Sequence, residues 1–168
     1  RVILADYDFD LWEHARLFAL MNMAINDGLV ATFRVKYTHN FWRPYTAIHW
    51  VDDGNKATQP DATWTSYIVT PPYPDYTCGL PNTVGSFSGA LREFFGTDKV
   101  PFTITATGLP PSVTRSYTSL SQAANESADA RVYGGIHFRT GCEGGVKLGQ
   151  KVGKFVATTQ LRPQPKRH

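Results

Sequence analysis

Four basic side chains stand at spacings that suit a small anion. Lys36 and Arg43 are seven residues apart, which on a continuous helix puts both on one face about two turns apart. Arg131 and His137 are six apart, and on one unbroken helix they would diverge by about 120°. Gly134-Gly135 lies between them, lifts that restriction and lets both side chains aim at one point. A fifth contributor is the segment "DYTCGLPNTVGSFSGAL", Asp75 to Leu91, a Gly/Pro-rich loop feeding an amphipathic helix. Exposed amides at such a helix start suit a bound anion. The loop holds no general acid or base, only Cys78 and Leu80, so it reads either as an anion site that does chemistry or as one that has lost it. Taken singly, Lys36 or Arg43 is a solvated charge in most helices, and His137 is more often a structural histidine. Asp53 and Asp75 read as turn residues, and His39 and His49 flank Arg43 without a spacing argument of their own.

The elements that must position these groups are mostly helical. Leu11, Ala15, Phe18, Asn22, Ile25 and Leu29 recur at helical spacing behind Asp8 or Asp10, which predicts a capped helix over 11–30. Further apolar residues widen its stripe nearly all round, which predicts deep burial. A second helical segment spans 34–42 and runs into Pro44. From Asp52 to Pro74 the chain is loop-like. The helix after the anion loop has Asn82 or Thr83 as its candidate cap, Val84, Phe87, Leu91 and Phe94 as its apolar face, and Gly96 as its stop. Residues 100–111 alternate Thr with apolar residues and read as a short strand or an extended linker. Helices over 119–132 and 142–158 follow, the last with Val146, Gly149, Val152, Gly153 and Val156 as a small-residue packing face.

Composition narrows the field. A chain of 168 residues fits one domain, 1–168, that buries roughly 70% of its unfolded surface. The net charge of +3 is spread along the chain apart from the tail Lys166-Arg167-His168. That pattern favours a local anion site over a nucleic-acid stripe, which needs many phosphate contacts from one face. No apolar run approaches a membrane span. The Arg at position 1 suggests a processed or truncated product. Asn125-Glu126-Ser127 is a glycosylation sequon, relevant only to a secreted protein.

"KYTHNFWRPYTAI", "TPPYPDYTCG" and "ARVYGGIHF" together resemble the vanadium-dependent haloperoxidase and acid phosphatase superfamily, which includes the type 2 phosphatidic acid phosphatases. The neighbouring "FWRPYTAI", "TPPYPDY" and "YGGIHF" resemble its bacterial haloperoxidase branch. Lys36 with Arg43-Pro44 matches the first part of the family signature; Arg131, Gly135 and His137 match the third, with Ala130 in place of its Ser. The resemblance implies an all-α helical bundle that holds phosphate or vanadate. It implies that Lys36, Arg43 and Arg131 neutralise the oxyanion, that Gly79 donates a backbone amide, and that His137 is the phosphatase nucleophile or the vanadium ligand. Arg supplies a fork matched to such oxygens, and His can attack phosphorus or bind a metal centre.

The departures fall in the middle motif. Thr77-Cys78-Gly79-Leu80 stands where the family has Pro-Ser-Gly-His, so Cys78 replaces a hydroxyl that binds the oxyanion and Leu80 replaces the acid–base histidine. Loss of such a group typically costs about 10²–10⁴-fold in rate. The expected protein binds vanadate, or a phosphate- or sulfate-like anion, with little or no turnover. The alternative is an active haloperoxidase or phosphomonoesterase in which water or His39 substitutes. The resemblance also implies a C-terminal half whose apolar faces are covered by another copy or a partner chain. It implies export as well, since this branch is often secreted. If both cysteine loops face one pocket, a Cys78–Cys142 disulfide is expected, closing a loop of about 65 residues and contributing roughly 4 kcal/mol. Two buried free thiols are the alternative.

Overall fold

Asp10 opens the principal helix. Its carboxylate accepts the Glu13 N–H (2.8 Å) and the Glu13 carboxylate accepts the Asp10 N–H (3.0 Å), a reciprocal capping box. The computed structural model describes residues 2–4, 7–50, 52, 54–106 and 114–162; Asp53, the end of the 100–111 segment and the tail Lys166-Arg167-His168 lie outside these. Helix α1 runs over Leu11–His39 as one piece rather than two. Ala31-Thr32-Phe33 offers no breaker, so the helix continues until Asn40, whose left-handed φ of 46° ends it. Arg43 therefore lies beyond α1, and it reaches Lys36 through the turn at Asn40 rather than through helical periodicity.

Pro44 begins α2 (Pro44–Trp50) instead of only ending the preceding segment, because a proline at the first helical position gives up an N–H that has no partner there. Helix α3 (Gly79–Phe95) starts earlier than the sequence suggested, with Cys78 rather than Asn82 or Thr83 at its cap. Pro81 fits its first turn, and Asn82 is fully buried between helices. Strands β1 (Phe102–Thr105) and β2 (Thr114–Tyr117) pair antiparallel, with Phe102 opposite Tyr117. Helix α4 (Leu120–Tyr133) is capped by Ser119, whose hydroxyl accepts the Gln122 N–H (3.1 Å), and α5 (Arg139–Thr159) begins three residues before Cys142. Among the described residues the fold is mostly helical with one small hairpin, in line with the all-α expectation.

Helices α3 and α5 form the tightest contact, and glycine makes it possible. A Cβ at Gly149 would overlap the Asn82 carbonyl oxygen, one at Gly153 that of Ser86, and one at Gly145 that of Cys78. From the other side, a Cβ at Gly89 would lie 2.6 Å from the Gln150 carbonyl oxygen. The two backbones thus touch, and this fixes Cys78 and Gly79 against the first turn of α5. Helix α1 lays Leu17, Leu20, Ala24, Gly28, Thr32 and Lys36 on this pair.

The expectation that α1 is buried nearly all round is not met. Leu11 and Trp12 are each 80% exposed, and Phe18, Leu29, Val30, Phe33 and Tyr37 also face outward. The described elements pack against only one side of the helix. An apolar groove of about 400 Å³, lined by Ile25, Val84, Phe87, Phe102 and Ile104 among others, lies beside it. Among the described residues, no helix is long and apolar enough to cross a membrane.

Candidate anion-binding site

The turn after α4 delivers two of the cationic groups. Arg131 occupies the last turn of α4, and Gly135, at φ 74°, reverses the chain so that His137 follows directly. A side chain at Gly135 would be conformationally strained and would crowd Ser66. His137 is 5% exposed. Its Nδ1 lies 2.8 Å from Asp75 Oδ1, which also accepts the Phe138 N–H (3.3 Å). A carboxylate only accepts, so Nδ1 carries the proton and Nε2 faces the other way, 3.3 Å from Arg43 Nη1.

Arg43 and Lys36 are anchored to the loop before α3. Arg43 donates from Nε to the Tyr73 carbonyl (2.6 Å) and from Nη1 to the Ile136 carbonyl (2.7 Å). Lys36 Nζ donates to the carbonyls of Pro74 (2.8 Å) and Asp75 (2.9 Å). The Tyr73 ring lies 4.8 Å from the guanidinium and 5.2 Å from the ammonium. Arg131 is close enough to repel Arg43 and to attract the Cys78 sulfur. Arg43 and His137 therefore meet from separate segments, with Lys36 and Arg131 near enough to act on Arg43 by charge, and Gly79 follows Cys78 at the first turn of α3 with open space beside its Cα.

The cluster has more donors than the protein satisfies. Among the described residues, Arg43 Nη2 and Arg131 Nε are buried without a partner, and so is the acceptor Asp75 Oδ2. Buried N–H groups of this kind are normally paired. Lys36, Arg43 and Arg131 gather around the Asp75 carboxylate and the Cys78 sulfur, so the local charge is positive. An oxyanion would meet both needs, and the donor set fits phosphate or vanadate. Beside Arg43, a cleft of about 670 Å³ opens between Phe41, Trp42, Tyr45 and Tyr73.

Burial and the Arg43 charge lower the Lys36 pKa from 10.5 to about 8. Lys36 is charged below that value and neutral above it, so the pocket loses a positive charge as pH rises through 8. Sulfate does not titrate in this range, so a change in its affinity comes from the protein. Its affinity is expected to fall about tenfold between pH 7 and pH 9 by calorimetry, and Lys36→Met is expected to flatten the profile. A parent affinity unchanged across that range would contradict it. For His137, burial works against the charged form, but the hydrogen bond to Asp75 and the nearby Cys78 sulfur outweigh it and raise the pKa.

Two expectations need correction. The Cys78–Cys142 disulfide is absent: both cysteines are free and fully buried. They share one apolar cluster instead; Cys142, His137 and Arg131 beside Cys78 draw its pKa down to about 5, and Cys78 together with burial pushes that of Cys142 up. Asp75 is not a turn residue but the buried partner of His137. The available signal was its place as the only acid in "TPPYPDYTCG", three residues before Cys78. His39 is exposed and packs edge-on against Tyr76 (5.4 Å), and His49 bonds the Trp64 carbonyl (2.6 Å). Leu80 is 47% exposed at the start of α3.

The family model of the VCPO second helical-bundle domain matches residues 16–163. The chain belongs to the vanadium haloperoxidase superfamily. Among solved structures, its fold is similar to "the first bacterial vanadium dependant iodoperoxidase", with 31% identity and a TM-score of 0.82 over 99% of this chain. It is also similar in fold to bacterial vanadium-dependent chloroperoxidase in apo form (21% identity, TM-score 0.76, 94% of this chain) and holo form (22%, 0.68, 83%). The haloperoxidase-type bundle described here spans 38%, 39% and 34% of those three chains. No curated protein sequence matches it significantly.

Proposed function

We propose that this haloperoxidase-type bundle binds a tetrahedral oxyanion, phosphate or vanadate, and turns over weakly or not at all. The observation that carries this reading is the pair of buried, unpartnered donors, Arg43 Nη2 and Arg131 Nε, beside His137. Arg43, Arg131, Lys36 and the Gly79 amide would hold the anion's oxygens, and His137 Nε2 would approach its central atom while Asp75 holds the proton at Nδ1. Arg43 Nη1, now 3.3 Å from Nε2, would share its hydrogen bond with the anion. Vanadate, when bound, supplies Lewis-acid activation of peroxide for halide oxidation.

Proton transfer is what the chain lacks. Leu80 has no titratable group, and no hydrogen bond among the described residues links His39 to His137. The alternative, an active enzyme, draws support from the His137–Asp75 pair but needs a base from elsewhere. The proposal includes export, and a cover for the apolar side of α1 by another copy or a partner chain.

Restoring the missing group tests the reading. Leu80 is half-exposed, so Leu80→His has room. The variant is expected to raise kcat/KM for phosphomonoester hydrolysis, or for vanadate-dependent halide oxidation, by about 100-fold or more over the parent. A parent already as fast as the variant would overturn the proposal.

A further inference from the structure

The cleft of about 670 Å³ beside Arg43 is built mainly from rings. Phe41, Trp42, Tyr45 and Tyr73 line it, and Pro71 and Pro72 add flat apolar faces. Phe41 and Trp42 are 47% and 44% exposed, so their rings are open to a ligand. The volume falls in the range of about 300–1,000 Å³ for small-molecule sites. The part of the wall that Thr65 to Pro74 supply is tied down at two points. The Ile68 N–H donates to the Gly134 carbonyl (3.1 Å), and the Tyr73 carbonyl accepts Arg43 Nε (2.6 Å). Pro71 and Pro72 fix φ between those ties. A wall held this way binds without first being ordered.

Arg43 belongs to both the cleft and the anion pocket. Its side chain lines the cleft, its Nη1 lies 3.3 Å from His137 Nε2, and its Nη2 has no partner among the described residues. Tyr73 is shared in the same way: it lines the cleft, and its ring lies 4.8 Å from the guanidinium and 5.2 Å from the Lys36 ammonium. We propose that the cleft receives the organic group of a phosphate monoester or phosphonate whose anion Arg43 holds, and that this group is an aromatic ring. The proposal rests on the oxyanion reading and adds the class of molecule that carries the anion. A ligand ring meets the rings of Phe41, Trp42 and Tyr45 in offset-stacked or edge-on contact, which contributes beyond the area it buries. Thr46 and Thr65 place hydroxyls in the same lining, which suits a flat ring with polar edges better than a plain alkyl chain. Binding of this kind needs no turnover.

The test measures binding to the full chain at pH 7 by calorimetry, with inorganic phosphate, methylphosphonate, hexylphosphonate and phenylphosphonate as probes. The C–P bond keeps the last three from hydrolysis. Phenylphosphonate is expected to bind about tenfold or more tighter than methylphosphonate, and tighter than hexylphosphonate. Trp42→Ala, a change at a half-exposed ring, is expected to remove most of that preference. Thr46→Phe, which fills the cleft from α2, is expected to remove it by occlusion. Phosphate that binds while phenylphosphonate binds no tighter than methylphosphonate would overturn the cleft and leave the oxyanion reading standing. Hexylphosphonate as tight as phenylphosphonate, or a preference for the ring that survives both substitutions, would also overturn it. A parent that binds none of the probes would overturn the oxyanion reading, and the cleft with it.

Discussion

Gly149→Ala is expected to destabilise the protein by about 1–3 kcal/mol, although the same change in an exposed helix would stabilise it by about 1 kcal/mol. Two effects compete. Alanine gains helix propensity, but its methyl would overlap the Asn82 carbonyl oxygen and lie 2.7 Å from the Ser86 amide nitrogen. Both obstacles are backbone atoms of α3, so no rotamer change relieves them and the helices must separate. Separation would loosen every neighbouring contact, since Gly145 and Gly153 seat on the same helix. It would also shift Cys78 and Gly79, so anion binding is expected to weaken with stability. The midpoint of urea unfolding at constant slope reads the effect. An alanine variant at least as stable as the parent would show that α3 and α5 do not approach this closely.

Asp75→Ala is expected to cost about 3–5 kcal/mol, the range for removing one partner from a buried charge pair. Asp75 is 1% exposed and is the carboxylate facing Lys36, Arg43 and His137. Its loss leaves His137 Nδ1 and the Phe138 N–H without their acceptor. Asp75→Asn keeps an acceptor oxygen and the shape, so its cost is expected to be smaller. The alanine variant has lost its internal anion, and phosphate is expected to restore part of the stability where chloride at equal ionic strength does not, because a ligand of the folded state stabilises by mass action. Thermal unfolding in the two salts measures this. An Asp75→Ala protein as stable as the parent would remove Asp75 from the account of the site.

Much of this was legible in the sequence, for identifiable reasons. The capping signal at Asp10, the Ser119 cap and the Gly96 stop act over three or four residues, and each element they mark is present. The Gly134-Gly135 break implied a chain reversal between Arg131 and His137, and Gly135 makes it at positive φ. What failed depends on contacts distant in the chain. Periodicity showed that α1 is apolar on most sides but carries no information about which side has a partner. The start of α3 depended on Pro81 fitting a first turn and on Asn82 being buried, which local rules for cap residues do not weigh. Asp75 looked like a turn residue because turn propensity is local, whereas its partner His137 lies 62 residues away. The cysteines were rightly brought together, yet proximity alone does not determine the oxidation state.

The most direct measurement of the anion pocket is equilibrium binding of phosphate to the purified chain at pH 7 by calorimetry, for the parent, Arg131→Ala and His137→Ala. Arg131 is the safest probe, since its Nε has no hydrogen-bond partner among the described residues. A charge-assisted hydrogen bond contributes about 1.5–3 kcal/mol, so each substitution is expected to weaken binding by about 10–100-fold, with one anion bound per parent chain. Absence of saturable binding in the parent, or equal affinity in all three proteins, would contradict the pocket.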